Sequence, residues 1–155
     1  MRVTDEGVVQ RCWDDVAEGD VLEGFDLVLT PKKVVEQVSG SQDFYGVHHD
    51  RDFARQGGHE DIFFNTRFTR GVLGRLLGEF VGIEGWLMRL EYSMRRQHRP
   101  GDVLRARGRV VRKYQSDTGD GLLDLELSLE NDREGIATPA TATVMLPRHA
   151  NRAGI

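Results

Sequence analysis

Residues 65–81 read NTRFTRGVLGRLLGEFV, and their apolar side chains recur every three to four positions. This period predicts an α-helix with a broad, mostly buried apolar arc, and Asn65 or Thr66 is suited to cap its N-terminus. The arc contains Phe68, Val72, Leu73, Leu76, Leu77, Phe80 and Val81. Gly71, Gly74 and Gly78 share one side of this helix, away from the centre of the arc. Each glycine costs about 1 kcal/mol relative to alanine, so we expect a partner helix, a ligand tail or, as we favour, tight packing there.

The sequence after this helix predicts β-strands at residues 86–95, 103–112, 122–129 and 140–146. Leucines at every second position of residues 122–129 alternate with mostly polar residues, and a period of two requires one buried face. Turn residues separate the strands at 99–102, 118–121 and 131–132. We expect the four strands to be joined by hairpins into an antiparallel sheet covered by the long helix, an α+β fold.

The sequence before the long helix predicts one more strand and two short helices. Residues 21–29 are typical of a strand with a kink or bulge at Gly24. A helix over residues 31–39 is capped by Thr30 and stopped by Gly40. A further helical turn is predicted at residues 50–56.

Length and composition indicate one globular domain, residues 1–155, in which residues 1–12 form an N-terminal arm without a clear period. Hydrophobic residues make up 39% and charged residues 30% of the chain, which is ordinary for a globular protein. No apolar run is long enough for a membrane span or a signal peptide. Cys12 is the single cysteine, which excludes an internal disulfide. We therefore expect a cytoplasmic protein that does not bind membranes.

The net charge of −4 conceals a basic segment, residues 89–113, with nine Lys and Arg against two acidic residues. Clustered arginines can bind phosphates. However, Arg105, Arg107 and Arg109 alternate along a predicted strand, which favours the solvated face of a half-buried sheet. Zinc-finger spacing and aromatic RNA-binding signatures are missing from the sequence, so we expect no nucleic-acid partner.

Residues 41–61 (SQDFYGVHHDRDFARQGGHED) contain most of the candidate catalytic groups. Asp43 and His48 are five positions apart, so their side chains converge only if the backbone between them is irregular. Gly46 lies between them and permits a backbone reversal. A carboxylate beside an imidazole can activate water by general acid/base catalysis.

A metal site is the alternative for this segment, built from His48, His49, His59, Asp50 and Asp61. No recognised ligand spacing is present, so we expect no metal. The expected role of Asp50 and Asp52 is instead at the N-terminus of the short helix, where its dipole favours negative charge. His98 and His149 are expected to be exposed and without a role.

Residues 43–54 (DFYGVHHDRDFA) resemble the hydratase motif of the MaoC-like (R)-specific enoyl-CoA hydratases. The motif places His five positions after Asp, a second Asp two positions further and Ala four after that, which here are Asp43, His48, Asp50 and Ala54. The predicted helices and strands follow the order of that family over nearly the whole chain. The resemblance implies the hot-dog fold, in which an antiparallel sheet wraps around a long central helix.

The resemblance also implies a reaction, the hydration of a trans-2-enoyl-CoA to a 3-hydroxyacyl-CoA. Asp43 and His48 would activate the water, and backbone N–H groups of Asn65 and Thr66 would bind the thioester oxygen. It implies no separate cofactor, because coenzyme A enters as part of the substrate. We expect Arg95 and Arg96 to be the first candidates for binding its phosphates.

Residues 47–52, residues 61–65 and the glycine-bearing helix are most similar to the small catalytic subunits of two-component hydratases of sterol side-chain degradation. This implies a bulky steroid acyl group and a partner hot-dog subunit without the acid/base pair. Two departures from the general motif stand out: Tyr45-Gly46 replaces Asn-Pro, and Asn65 replaces Gly at the helix start, where its side chain is expected to reshape the pocket.

Three questions stay open at this point. The chain could form a homodimer or a heteromer, since hot-dog domains complete their clefts by pairing. A hot-dog acyl-CoA thioesterase is an alternative enzyme. A non-catalytic acyl-CoA-binding subunit of a heteromeric complex is the alternative outside catalysis.

Overall fold

The computed structural model describes residues 2–3, by their backbone alone, and residues 9–149. Its strands are β1 (Arg2–Val3), β2 (Val9–Gln10), β3 (Phe25–Val28), β4 (Trp86–Tyr92), β5 (Val103–Gln115), β6 (Gly121–Asn131) and β7 (Gly135–Leu146). Its α-helices are α1 (Pro31–Ser41), α2 (Arg51–Gln56) and α3 (Thr66–Val81), and single 3-10 turns occupy Trp13–Asp15 and Gly46–His48. No helix within the described residues is long and apolar enough to cross a membrane.

Five strands form one antiparallel sheet in the order β3-β5-β6-β7-β4. The predicted hairpins β5–β6 and β6–β7 are confirmed, but a hairpin between β4 and β5 is wrong because β4 pairs with β7. Residues 93–102 instead connect β4 at one edge of the sheet to β5, which lies next to β3 at the opposite edge. Near β3, Gly101 N–H donates to Leu29 O and Leu29 N–H donates to Asp102 O. β4 is therefore an edge strand.

Helix α3 packs against the inner face of this sheet, as the apolar arc predicts. Leu73, Leu76 and Leu77 are at most 1% exposed and lie in one core with the inward leucines of β6. Burying each of these side chains contributes about 1.5–3 kcal/mol. Register shifts in the β4–β7, β5–β6 and β6–β7 pairs mark bulges, which bend strands and help the sheet curve around α3.

The glycine side of α3 differs from the prediction. A Cβ placed on Gly71, Gly74 or Gly78 would meet no heavy atom within 4 Å among the described residues outside the helix backbone. The expected close packing there is wrong, and this side of the helix faces open space. In contrast, a close backbone contact requires glycine at position 24, because a Cβ there would collide with Ala106 O.

Helix α1 begins as predicted, with Pro31 at its first position and Thr30 Oγ1 accepting from Lys33 N–H at 3.2 Å. It passes through Gly40, however, and ends at Gln42, whose φ of 55° is left-handed. The predicted stop at Gly40 is wrong because a left-handed residue, which need not be glycine, reverses the chain at a helix end. The two extra residues carry Ser41 to the candidate site.

The described part of the predicted N-terminal arm packs against the end of α3. Gln10 is fully buried, donates from Nε2 to Val81 O and accepts from Glu84 N–H. Both bonds serve backbone groups around the C-terminal turn of the helix, where carbonyls lack intrahelical donors. Residues 1 and 4–8 of the arm lie outside the described residues.

Candidate active site

Asp43 and His48 face each other across an irregular segment between α1 and α2. His48 Nε2 lies 3.6 Å from Asp43 Oδ2, and the two side chains are 9% and 31% exposed. Asp43 follows the left-handed end of α1, and His48 closes the 3-10 turn Gly46–His48. The sequence requires an irregular backbone for this meeting, and the structure has one.

The orientation of His48 follows from the carbonyl of Phe63. His48 Nδ1 lies 2.8 Å from Phe63 O, and a carbonyl can only accept a hydrogen bond. Nδ1 therefore carries a proton, so in the neutral tautomer Nε2 is the nitrogen with the free lone pair, and it faces Asp43. The Phe63 ring stacks edge-on against the imidazole, with centroids 5.0 Å apart at 82°, which fixes the ring plane.

Asn65 connects the pair to the start of α3. Its Nδ2 donates to Asp43 Oδ2 at 3.0 Å and to Ser41 Oγ at 2.9 Å, while its Oδ1 accepts from Phe68 N–H at 2.9 Å. The Asn65 side chain is 3% exposed, and these hydrogen bonds all join it to groups of the protein. Sequence analysis identifies Asn65 as a cap but not as the residue that holds the carboxylate.

The backbone at the start of α3 provides the electropositive side of the site. Thr66 is the first residue of the helix, so its N–H has no acceptor within the helix. The partial positive charge at a helix N-terminus reinforces such a donor. This end of α3 adjoins Asp43 through Asn65, and a carbonyl oxygen bound here would lie beside the acid/base pair.

Gly46 is needed for a reason other than the expected one. Its φ is not in the left-handed region, so a backbone reversal does not explain it. A Cβ at this position would lie 2.6 Å from Cδ1 of Phe53, closer than real Cβ atoms approach. Phe53 belongs to α2, whose cap Asp50 accepts from Phe53 N–H at 3.0 Å, as expected for Asp50.

His98 is buried behind the site, so the expectation that it is exposed is wrong. Its carbonyl accepts from Phe64 N–H at 2.9 Å. Its ring lies between Asn131 Nδ2, 3.2 Å from Nδ1, and Thr138 Oγ1, 3.4 Å from Nε2. Burial lowers the pKa of His98 to about 4, so the ring is neutral at ordinary pH.

Residues 63–65 therefore form a positioning segment in which each residue holds a different part of the site. Phe63 O binds His48, Phe64 N–H is anchored to the carbonyl of His98, and Asn65 holds Asp43. A sequence pattern of apolar residues before a helix gives no sign of these roles.

The other polar candidates are dispersed. His49 Nε2 donates to Phe44 O at 2.9 Å, His59 Nδ1 accepts from Gln97 Nε2 at 3.1 Å, and Asp61 pairs with Arg51 at 2.9 Å. The side chains considered as metal ligands thus have separate partners. His149 is exposed as expected, but it pairs with Asp15 at 3.0 Å.

The arginines of the basic segment pair with carboxylates on and near the sheet. Arg105 pairs with Asp132 at 2.8 Å, and Arg107 and Arg109 pair with acidic residues of β3 and β6. This is the solvated strand face that the alternation predicts. Arg95 lines a groove of about 710 Å³ that includes outer-face residues of the sheet, and Arg96 lies 3.4 Å from Glu134. Neither Asp43 nor His48 lines that groove, and the structure shows no contact between these two arginines and the pair.

A cleft of about 520 Å³ opens between α1, α3 and β3, and neither Asp43 nor His48 lines it. Ser41 lines this cleft and accepts a hydrogen bond from Asn65, the residue that holds Asp43. The apolar lining consists of Phe25, Leu27, Phe68 and Val72. Arg67, Arg70 and Arg75 also line the cleft, so an acyl chain that enters it would meet both apolar and cationic side chains.

Comparison with solved structures identifies the fold. The chain superimposes with a TM-score of 0.77 on a MaoC-like dehydratase from Rhodospirillum rubrum, at 20% identity over 90% of this chain and 98% of that one. An (R)-hydratase from A. caviae gives 0.74, at 19% identity over 86% and 98%. The chain has the hot-dog fold of the MaoC-like hydratases. The resemblance predicted from residues 43–54 is thereby confirmed, and so is a sheet wrapped around a long helix.

Two further comparisons are with proteins of Mycobacterium tuberculosis. A chain of the ChsH1-ChsH2 complex from Mycobacterium tuberculosis gives a TM-score of 0.76 at 25% identity, over 84% of this chain and 98% of that one. The beta subunit of 3-oxo-4,17-pregnadiene-20-carboxyl-CoA hydratase from the same organism is 36% identical over 64 residues, 41% of this chain. The match spans 50% of that subunit's length. No protein-family model matches the chain.

Proposed function

We propose that this chain adds water to a trans-2-enoyl-CoA and forms a 3-hydroxyacyl-CoA. The observation that carries the proposal is the 3.6 Å separation of His48 Nε2 and Asp43 Oδ2 beside the N-terminus of α3. Both atoms are acceptors, so one water molecule can donate a hydrogen bond to each of them. The fold shared with MaoC-like dehydratases and (R)-hydratases agrees with this chemistry.

In the proposed reaction His48 is the base and Asp43 orients the water. His48 Nε2 takes one proton as the water oxygen attacks C3, and the electron pair of the double bond moves toward the thioester oxygen. The Thr66 N–H and the helix dipole stabilise the charge on that oxygen. Nε2 then returns the proton to C2, so the product contains one added water and no separate cofactor is required. Asn65 keeps the Asp43 carboxylate in place throughout.

A bulky acyl group is the second part of the proposal. The relative matched over 64 residues is named for a steroid-type substrate, 3-oxo-4,17-pregnadiene-20-carboxyl-CoA. The cleft between α1, α3 and β3, about 520 Å³ in volume and partly lined by apolar side chains, is suited to a large hydrophobic group. We propose a steroid side-chain enoyl-CoA as the substrate, with Arg95 and Arg96 as candidates for its phosphates.

A second hot-dog subunit is the proposed partner. Strand β4 lies at an edge of the sheet and exposes Trp86, Leu87 and Met88. An edge strand with exposed apolar side chains favours pairing with another chain. One of the similar structures is itself a complex, ChsH1-ChsH2, which supports a heteromer over a homodimer.

The decisive experiment measures water addition to steroidal, long-chain and short-chain enoyl-CoAs, with the chain alone and with a co-expressed hot-dog partner. We expect Asp43→Asn and His48→Ala each to lower the rate by about 10²- to 10⁴-fold without changing the melting temperature substantially. His49→Ala is the matched control, because that neighbouring histidine is exposed and bonds only the Phe44 carbonyl.

Three outcomes would contradict the proposal. Full activity in either site variant would remove the assigned roles. Release of free thiol from saturated acyl-CoA would indicate the thioesterase. Binding of enoyl-CoA without turnover, even with the partner present, would indicate a non-catalytic subunit.

A further inference from the structure

Gln37 on α1 is a buried amide without a hydrogen-bond partner. The residue is 9% exposed, and neither its Nε2 nor its Oε1 has a partner within the described part of the chain. Buried side-chain amides are almost always paired, since leaving them unpaired is costly. Nothing in the helix requires glutamine here, because an apolar residue would fill the same space and avoid the cost.

The side chain lines the same cleft that we assign to the acyl group. Its walls include the apolar side chains of Phe25, Leu27 and Val72, together with arginines from α3. Gly71 lies opposite on α3 and leaves open space where a larger residue would fill the cleft. A ligand in this space is therefore the natural partner for the amide.

Gln37 lies one helical turn from the residue of α1 that is linked to Asp43. Gln37 precedes Ser41 by four residues, one helical turn or about 6 Å. Ser41 Oγ accepts from Asn65 Nδ2, which also donates to Asp43. The amide is thus about one helical turn from Ser41, the cleft residue that Asn65 links to Asp43, so an acyl group extending from the pair past Ser41 would bring its distal carbons to Gln37.

A neutral oxygen fits this position better than an anionic group. Arg67 at the rim of the cleft donates to Ser41 O, and Arg75 pairs with Glu79 while stacking on the Phe25 ring. Arg67 and Arg75 thus have protein partners, and Arg70, which also lines the cleft, is exposed, so the buried polar group at this position is the neutral amide. The amide NH₂ group can donate to a ketone or hydroxyl oxygen, and the amide oxygen can accept from a hydroxyl group.

We propose that Gln37 is a specificity-determining residue that selects acyl groups carrying a ketone or hydroxyl oxygen over plain hydrocarbon. The inference rests on the proposed function for its choice of substrate. A site built to bond a substrate oxygen rejects an analogue without it, since the buried amide then stays unpaired.

The test compares a medium-chain trans-2-enoyl-CoA with a series of equal length in which one ketone is moved along the distal carbons. For the unaltered chain with its hot-dog partner, we expect kcat/KM to be about 10- to 100-fold higher at one ketone position than for the plain chain. Gln37→Leu should abolish this preference and improve turnover of the plain chain. Gln115→Leu, an exposed position outside the cleft, should leave the preference unchanged.

Binding of the corresponding saturated acyl-CoAs, measured by calorimetry, separates the two proposals. Absence of turnover with every substrate would end the hydratase proposal, yet a ketone preference in binding that Gln37→Leu removes would still support the role of Gln37. Equal binding and turnover of keto and plain substrates by the unaltered chain would overturn the inference. The inference would also be overturned if Gln37→Leu changed kcat/KM for the keto and the plain substrate by the same factor.

Discussion

Replacing Asn65 tests whether the start of α3 holds the catalytic carboxylate or only caps the helix. In Asn65→Ser the hydroxyl can still accept from Phe68 N–H, so the cap is retained. The shorter side chain cannot reach Asp43, and the bond of 3.0 Å to Oδ2 is lost. Asn65→Ala loses both the cap and this bond.

The expected losses of activity and of stability distinguish the positioning role of Asn65 from its capping role. A hydrogen bond to a charged group contributes about 1.5–3 kcal/mol, and the lower value applies because Asp43 is 31% exposed. We therefore expect both variants to lose about tenfold in kcat/KM. Loss of the cap costs about a further 1 kcal/mol, so Asn65→Ala should melt about 2–4 °C below Asn65→Ser while the two variants keep similar activity.

Hydration rates and thermal melts of the three proteins, measured with the partner present, check this prediction. Full activity in Asn65→Ser would refute the view that Asn65 positions Asp43. A loss of activity that follows the loss of stability across both variants would indicate a purely structural residue.

Three further predictions concern the core, the loop and the sheet edge. Because His98 has a pKa of about 4 when folded and about 6.5 when unfolded, only the unfolded chain binds a proton between these values. The free energy of unfolding should thus be unaffected by His98 above pH 6.5 and fall by about 3 kcal/mol as the pH drops to 4, and urea titrations of His98→Gln should lack this dependence. Gly46→Ala should lower the hydration rate by displacing the Phe53 ring, and adding Phe53→Leu should restore much of it; no recovery in the double variant would contradict the steric explanation. Met88→Glu on the exposed edge strand should weaken subunit association in analytical ultracentrifugation while the isolated chain stays folded, whereas unchanged association would exclude β4 from the interface.

Local patterns were sufficient to predict the elements that depend on periodicity. The apolar arc of α3 and the alternation in β6 identify a helix on a sheet, because burial imposes these periods directly. Strand order was not predictable in the same way. The turn at residues 99–102 contains ordinary hairpin residues, yet β4 pairs with β7, since the choice between edge partners depends on the whole sheet.

The candidate site was predictable only in part for a similar reason. Asp43 and His48 were identified from the spacing of a known motif, and the structure brings them within 3.6 Å. The roles of Phe63 and His98 depend on backbone carbonyls, which every residue has and no sequence pattern distinguishes. The steric reason for Gly46 could not be predicted, because its contact with Phe53 exists only in the folded structure.

In the positioning segment, residues 63–65, the number of residues matters as much as their identity for the alignment of Asp43 with His48. His48 and Asp43, the proposed base and water-orienting carboxylate, are held by Phe63 and Asn65, and Phe64 N–H between these two residues is anchored to the carbonyl of His98. Inserting or deleting a single residue there would move the residue that holds Asp43 by about 3.3 Å relative to the residue that holds His48. Chimaeras between this chain and other hydratases should therefore exchange residues 42–65 as one block, since splicing inside it would leave both catalytic groups present but out of alignment.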